Sequence, residues 1–342
     1  MASSMVADAS RPVGPNFPDG VAPVLERAAY ELGRSEEVLN EVPGAVWDQR
    51  EAASEARLAG ESLTLAQLLE DLALPERSGA DRSSAARGWL HALRLARDPS
   101  PGLSALTVPH WHAVSSCLVP KDADSEPLKG ILWREGEALR VLLATHGGLA
   151  AASSVSRVCP TASPCKRAAR LARLASHALL HHSGLSTRGV APLAAIASSS
   201  SHADSGSLEA ETAGMSDRPC VAWLAALQRA LAERRSLVRA LVELAERDAR
   251  RVAELPRCAS YTLAVLAQLR KTPVATLTSV SQETRICFPT TLRAMQRLLD
   301  CGIVREVTGR RSKRAFAYES YVQLLEPGNA ARSAVSTSAD GG

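Results

Sequence analysis

The sequence predicts a mainly α-helical protein: a helical body up to residue 255, then a C-terminal winged helix-turn-helix. Three observations carry this reading. Apolar residues make up 46% of the 342-residue chain but aromatics only 4%, and much of the rest is alanine. A core so poor in large side chains is expected to be helical and thin. Apolar residues recur at helical spacing through both ends of the chain. Finally, Tyr261 to Leu325 reads as helix, helix, turn, helix and hairpin, the order of a module that lays one helix in a DNA groove and a basic loop along the backbone.

Residues 1–20 are polar and proline-rich and are expected to form a disordered tail. Val21 to Asn40 reads as the first helix, through Val24, Leu25, Ala28, Leu32 and Leu39. Pro43-Gly44 ends it. Asp48 to Gly60 is a second helix, and Thr64 opens a third through Leu65, Leu68, Leu69 and Leu72. Ser83 to Arg97 is a fourth, with Trp89, Leu90, Leu93 and Leu95. Thr107 is placed to cap a fifth, with Pro109 in its first turn. These elements make residues 21–117 one helical region.

The pattern weakens over residues 118–215. Pro120 to Pro127 is a charged loop, and Leu139 to Leu149 fits a helix or a strand. Ala150 to Lys166 is rich in Ser, Cys and Pro, Ala168 to His182 turns helical again, and Ser198 to Ser207 is a serine-rich linker. No aromatic residue occurs between Trp133 and Trp223. Order resumes in residues 216–255, a long helix with Trp223, Leu224, Leu227, Leu231, Val238, Leu241 and Ala245 on one face. Arg229, Glu233, Arg234 and Glu246 are expected on the other. Pro256 breaks into the winged module, residues 256–326, and residues 327–342 are a second tail rich in Ala, Ser and Gly.

Within the module, Tyr261 to Arg270 is a core helix and Thr276 caps a short second helix running to Glu283. Arg285-Ile286-Cys287 is the turn. Pro289 is expected at the first position of the third helix, where its missing N–H costs nothing. Leu292, Met295, Leu298 and Leu299 then point inward and Gly302 stops the helix. Thr290, Thr291 and Arg293 face outward near the helix start, where recognition helices reach base edges, and Arg297 is placed for a phosphate. Ile303 to Val307 and Ala315 to Tyr318 are strands flanking Arg310, Arg311, Lys313 and Arg314. Four cations in five residues repel one another unless solvated or neutralised, and phosphate binding neutralises them with release of counterions.

Charge supports the same partner. The chain carries 40 Lys and Arg against 36 Asp and Glu. From Arg257 to Glu326 there are eleven basic and five acidic side chains, a balance of +6 that leaves −2 for the rest. A basic module on a near-neutral body is the footprint of nucleic-acid contact, although the same fold also serves as a protein-docking module. DNA is thus the expected partner, with a protein partner or self-association left open.

Seven cysteines, an odd number without a C-x-x-C pair, do not make a disulfide framework. Cys287 and Cys301 are expected as buried small apolar residues. No apolar signal segment opens the chain and no run of about eighteen apolar residues occurs, so no membrane contact and a cytoplasmic location are expected. The pairs His110/His112 and His177/His181, with His182, fall short of the three or four convergent ligands of a zinc site. No metal or cofactor is assigned. No phosphate loop and no serine nucleophile elbow is present.

Two segments carry a resemblance. Phe288-Pro289-Thr290-Thr291, then Leu298 to Arg311, then Ala315-Phe316-Ala317-Tyr318 and Tyr321 resemble the C-terminal winged helix of bacterial Fic-family proteins. Arg50-Glu51-Ala52, then Arg57-Leu58-Ala59-Gly60 and Leu63 to Leu69, are similar to the segment that precedes the Fic core. The resemblance implies a helical Fic-like body with residues 118–215 in place of the core. It also implies a family many of whose members transfer AMP from ATP to protein hydroxyls. That chemistry uses a His-Pro-Phe loop whose histidine is the base, whose acidic residue holds a divalent metal and whose Gly-Asn turn and arginine bind phosphates. Here none of the eight histidines precedes a proline, and the phenylalanines are Phe17, Phe288 and Phe316. The inhibitory glutamate of many relatives is replaced by Ala59. The expectation is therefore a non-enzymatic protein with no catalytic residue. The alternative is an adenylyltransferase using ATP and magnesium through an unrecognised site. The middle of the chain reads either as a pseudoenzyme remnant or as sequence translated out of frame.

Overall fold

The computed structural model describes residues 22–75, 84–97, 218–255, 259–309 and 313–327, together with residues 173, 174, 176, 177, 180, 181, 193 and 194. The expected tails, the helix at Thr107, the loop at Pro120, the segment at Leu139 and the serine-rich linker lie outside the described residues. So do Arg310, Arg311, His110, His112 and His182. What is described is mainly α-helical. The helices are α1 (Ala22–Leu39), α2 (Gly44–Leu58), α3 (Leu65–Ala73), α4 (Ser84–Ala96), α5 (Arg218–Ala253), α6 (Ala259–Lys271), α7 (Leu277–Thr284), α8 (Phe288–Asp300) and α9 (Glu319–Leu325). The strands are β1 (Val274–Thr276), β2 (Arg305–Glu306) and β3 (Ala315–Ala317).

The long helix α5 is the axis of the molecule. Its Leu224, Leu227, Leu231, Val238 and Leu241 are buried, and α1, α6 and α9 all pack along it. Helix α1 brings Val24, Ala28, Leu32 and Leu39 to that seam. Arg235 of α5 crosses to Glu31 (2.8 Å) and donates to Ser35 Oγ (2.6 Å). Helix α2 closes the other side with Trp47, whose indole N–H donates to the Leu39 carbonyl at 3.2 Å. Thr64 opens α3 with a capping box, accepting from the Gln67 amide while Gln67 Oε1 accepts from the Thr64 amide. One hydrophobic core runs from Val24 through α5 to Leu325. The C-terminal module is therefore continuous with the body rather than appended to it.

Arg234 corrects the sequence reading. Expected on the polar face of α5, it is completely buried. The reason is positional. It stands three residues after Leu231 and four before Val238, inside the apolar stripe. Its guanidinium is accommodated because Glu51 of α2 is buried opposite, with Arg234 Nη2 donating to Glu51 Oε2 at 2.9 Å. The Trp47 ring lies 4.9 Å from the Arg234 guanidinium carbon. Glu51 Oε1 also accepts from the Ala194 amide (2.6 Å) and has His177 Nε2 at 3.7 Å, beyond hydrogen-bond range. One turn on, buried Glu55 accepts two bonds from Arg173, one of them 2.7 Å. Two carboxylates of α2 thus anchor the described residues of the middle segment, whose Leu174, Leu180 and Leu193 are buried in the same core.

Burial alone raises the Glu51 pKa. His177, the Arg234 charge and the Ala194 amide outweigh it and hold the carboxyl at about 2. Burial lowers Arg234 to about 10 against the pull of Glu51. Burial likewise lowers His177 from its ordinary 6.5 despite the carboxylate beside it. The cluster at neutral pH is a carboxylate, a guanidinium and a neutral imidazole.

Candidate nucleic-acid interface

The C-terminal module follows α5, and its first helix starts at Ala259. Helix α6 buries Thr262, Val265, Leu266 and Leu269 against α5 and α8. Strand β1 follows. It was not anticipated from sequence, and it makes a three-stranded sheet in the order β1-β3-β2, antiparallel throughout. Val274 pairs with Ala317, Ala275 with Phe316 and Thr276 with Ala315. Arg305 pairs with Ala317 and Glu306 with Phe316. The strands β2 and β3 are shorter than expected but lie where the hairpin was placed.

Thr276 caps α7 as its sequence indicates. Its hydroxyl accepts from the Ser279 amide (3.2 Å), and Ser279 Oγ accepts from the Thr276 amide (3.1 Å). Arg285 ends α7 in the left-handed conformation, φ 56°. Glycine is the usual occupant there, because a side chain crowds the backbone at positive φ. Cys287 is the residue before α8, and Pro289 occupies the second position of that helix rather than the first, still within the turn where no N–H is needed. Gly302 at φ 65° ends α8 as expected.

On α8 the residues sort by burial. Ala294, Met295 and Leu298 face the core. Arg293 is exposed, and Thr290 and Arg297 are half-buried. Thr291 does not face outward. It is 0% exposed and its hydroxyl donates to the Ile286 and Cys287 carbonyls, each at 3.3 Å. It lies three and four residues before Ala294 and Met295, so helical geometry turns it into the core, and the i−4 carbonyl satisfies its hydroxyl. Leu292 is the converse error. Expected inward, it is 37% exposed, beside Phe288 at 48%. Cys287, expected buried, is exposed, and Cys301 is half-buried. The Cys287 thiol donates to Thr290 Oγ1 at 3.1 Å, and that hydroxyl and the Thr290 amide hold the thiol below its ordinary range.

The hairpin loop turns through Gly309 (φ 58°) and Lys313 (φ 52°), which flank Arg310 and Arg311. Lys313 is exposed. Arg314 is half-buried and paired. It pairs with Glu306 across the hairpin and lies 5.2 Å from the Phe316 ring centroid. The hydrogen bond with Glu306 raises its pKa further. The acids of the module are similarly spent. Glu319 pairs with Arg305 at 3.0 Å, and Glu326 pairs with Arg57 of α2. Three of the five acids of this segment are thereby neutralised within the fold. Arg285, Arg293 and Lys313 are exposed and Arg297 is half-buried. Sequence reasoning passed over Arg285, Phe288 and Leu292. The spacing of four between Phe288 and Leu292, one position off the Thr291–Met295 stripe, is the signal that would have separated them from the core.

Among the described residues no group of three His, Cys, Asp or Glu side chains is arranged to hold a metal ion. No described helix is long and apolar enough to cross a membrane. No family model matches the chain. No curated protein matches it.

Proposed function

We propose that the chain is a non-enzymatic, Fic-like DNA-binding or regulatory protein acting through a winged helix formed by α6 to α9 and the three-stranded sheet. The observation that carries this reading is the exposure of Arg285, Arg293 and Lys313 on a segment, Arg257 to Glu326, that holds eleven basic and five acidic side chains. Glu306, Glu319 and Glu326 are consumed by Arg314, Arg305 and Arg57. Arg293 stands exposed in the first half of α8, the part of a recognition helix that meets base edges. Thr290 lies beside it. Arg297, Lys313 and the loop cations Arg310 and Arg311 supply phosphate contacts. Thr291 and Arg314 drop out of the reading surface, and Arg285 enters it. The cluster of Glu51, Arg234 and His177 is assigned a structural role, and no residue is assigned to AMP transfer.

The experiment is duplex binding against salt. Fluorescence anisotropy with a labelled random-sequence duplex should give a log K that falls linearly with log salt. Each neutralised phosphate adds roughly 0.9 to the steepness of that line, so Arg310→Ala with Arg311→Ala should reduce the slope by about two. No binding at low salt would end the proposal. Label transferred to protein from ATP in the presence of magnesium would replace it with the adenylyltransferase reading.

A further inference from the structure

Helix α8 leaves two large apolar side chains partly exposed to solvent. Phe288 is its first residue and Leu292 stands one turn later on the same face. Among the described residues the other large apolar side chains this exposed are Tyr30 and Tyr261, which carry a hydroxyl that accounts for contact with water. Phe288 and Leu292 have none. Apolar surface left wet forfeits about 25 cal/mol per Å². The core stripe of α8 does not need them, since Thr291, Ala294, Met295 and Leu298 already fill it.

Their surroundings are cationic. Arg285 lies just before the helix, Arg293 directly follows Leu292, and Arg297 is one turn further on. No acid occurs on α8 before Asp300 at its far end, and Glu283 on α7 is the nearest acid in the chain before it. An apolar pair flanked by arginines at the start of an outward-facing helix fits a ligand that is anionic at its edges and locally apolar inside. Duplex DNA has that chemistry in the major groove. Phosphates line the groove, and the thymine C5-methyl is the apolar group on its floor.

We infer that Phe288 and Leu292 are specificity-determining residues that read thymine methyl groups; this rests on the proposal that α8 enters the major groove. Four residues of helix rise about 6 Å. Base pairs are stacked about 3.4 Å apart. The two side chains therefore span about two base-pair steps, and the preferred site carries thymines at that separation, with Arg293 reading a neighbouring pair.

Deoxyuridine differs from thymidine at the methyl alone, which makes the test specific. The full chain is allowed to select duplexes from a random pool, and each thymine of the enriched site is replaced in turn by deoxyuridine. At one or two positions, affinity should drop about fourfold, the equivalent of one methyl returned to water. Phe288→Ser, and independently Leu292→Ser, should each bind the thymine and uracil duplexes equally at its own position. Neither should change the salt slope, because no charge is removed. Equal affinity for thymine and uracil at every position, or a pool without enrichment, overturns the inference while leaving DNA binding in place. Loss of all duplex binding at low salt overturns the DNA reading and the inference together. If the serine variants leave uracil discrimination intact, Phe288 and Leu292 do not read the methyl groups and the inference is wrong.

Discussion

Glu51 carries its charge into the interior because three groups meet it there: the Arg234 guanidinium, the Ala194 amide and the edge of His177. Removing one member of such a set strands the others. Glu51→Gln should destabilise the protein by about 3–5 kcal/mol, the usual cost of leaving a buried partner uncompensated, measured by chemical denaturation. Acid should do the same in two stages. His177 is lowered from 6.5 in the folded state, so the unfolded chain takes up a proton first as pH falls below that value. Glu51 is lowered from 4.5 to about 2, so its contribution is present above pH 4.5 and lost between there and pH 2. The melting temperature should fall along both limbs. His177→Gln should flatten the upper limb and Glu51→Gln the lower. A pH profile that these variants leave unchanged would remove the cluster from the explanation. Residue by residue, the sequence showed more than it first seems to. Arg234 sits on its helix's apolar stripe in plain view, and Thr291 on that of α8. What hides such residues is their polarity. A buried guanidinium or hydroxyl is intelligible only when its partner, Glu51 or the Ile286 carbonyl, is also in place, and those partners come from folding.

Secondary-structure elements were legible in proportion to their length and to the locality of their signals. Helix α5 shows several turns of apolar repeat, and α1, α3 and α4 show two or more, so each was found within a few residues of its ends. The caps were legible too, since Thr64 and Thr276 act on amides three residues away. Thr276→Ala should therefore cost about 1 kcal/mol, while exposed Thr278→Ala should stay within about 0.5 kcal/mol; equal effects would show that the box contributes nothing. Strand β1 was missed because three residues cannot display alternation. Its identity comes from pairing with β3, some forty residues on. The separation of α8 into Arg293 outside and Thr291 inside also predicts a split. Arg293→Ala should weaken duplex binding and relax its sequence preference, by about 1–3 kcal/mol. Thr291→Ala should lower stability by about 1 kcal/mol and leave the preference unchanged, as read by competition binding.

Across the whole molecule, the C-terminal module is fastened at two places. Tyr318 donates its hydroxyl to buried Asp248 of α5 at 2.8 Å, and burial together with that bond raises the phenol above its ordinary range. Arg50 donates to the Leu325 carbonyl (2.8 Å), and Arg57 holds both Glu326 and the Pro327 carbonyl (2.6 Å). Glu326 in turn accepts from the Leu65 amide at the start of α3, at 3.0 and 3.1 Å, where the helix dipole favours an anion. All five tryptophans precede the module in the sequence, and the described ones, Trp47, Trp89 and Trp223, are buried in the body. Tyr318→Phe removes the donor to Asp248 Oδ2, leaving Arg251 on Oδ1 (3.3 Å), and should cost about 1–3 kcal/mol. The loss should appear in the tryptophan-detected unfolding midpoint as well as in amide exchange across α6 to α9. A shift confined to the module would mean the two halves melt independently. No single window of sequence reveals this fastening, because it joins residues 70 to 275 positions apart.

The clasp of Arg57 on Glu326 also fixes an order of events during biosynthesis. Helices α2 and α3 leave the ribosome hundreds of residues before their partner does. They must wait with the Leu65 amide and the two Nη groups of Arg57 unanswered, only its Nε being met by the Leu63 carbonyl. The N-terminal half can therefore collapse early but can lock only after residue 326 has emerged. A nascent chain arrested short of that point should remain open to proteases that the released protein resists.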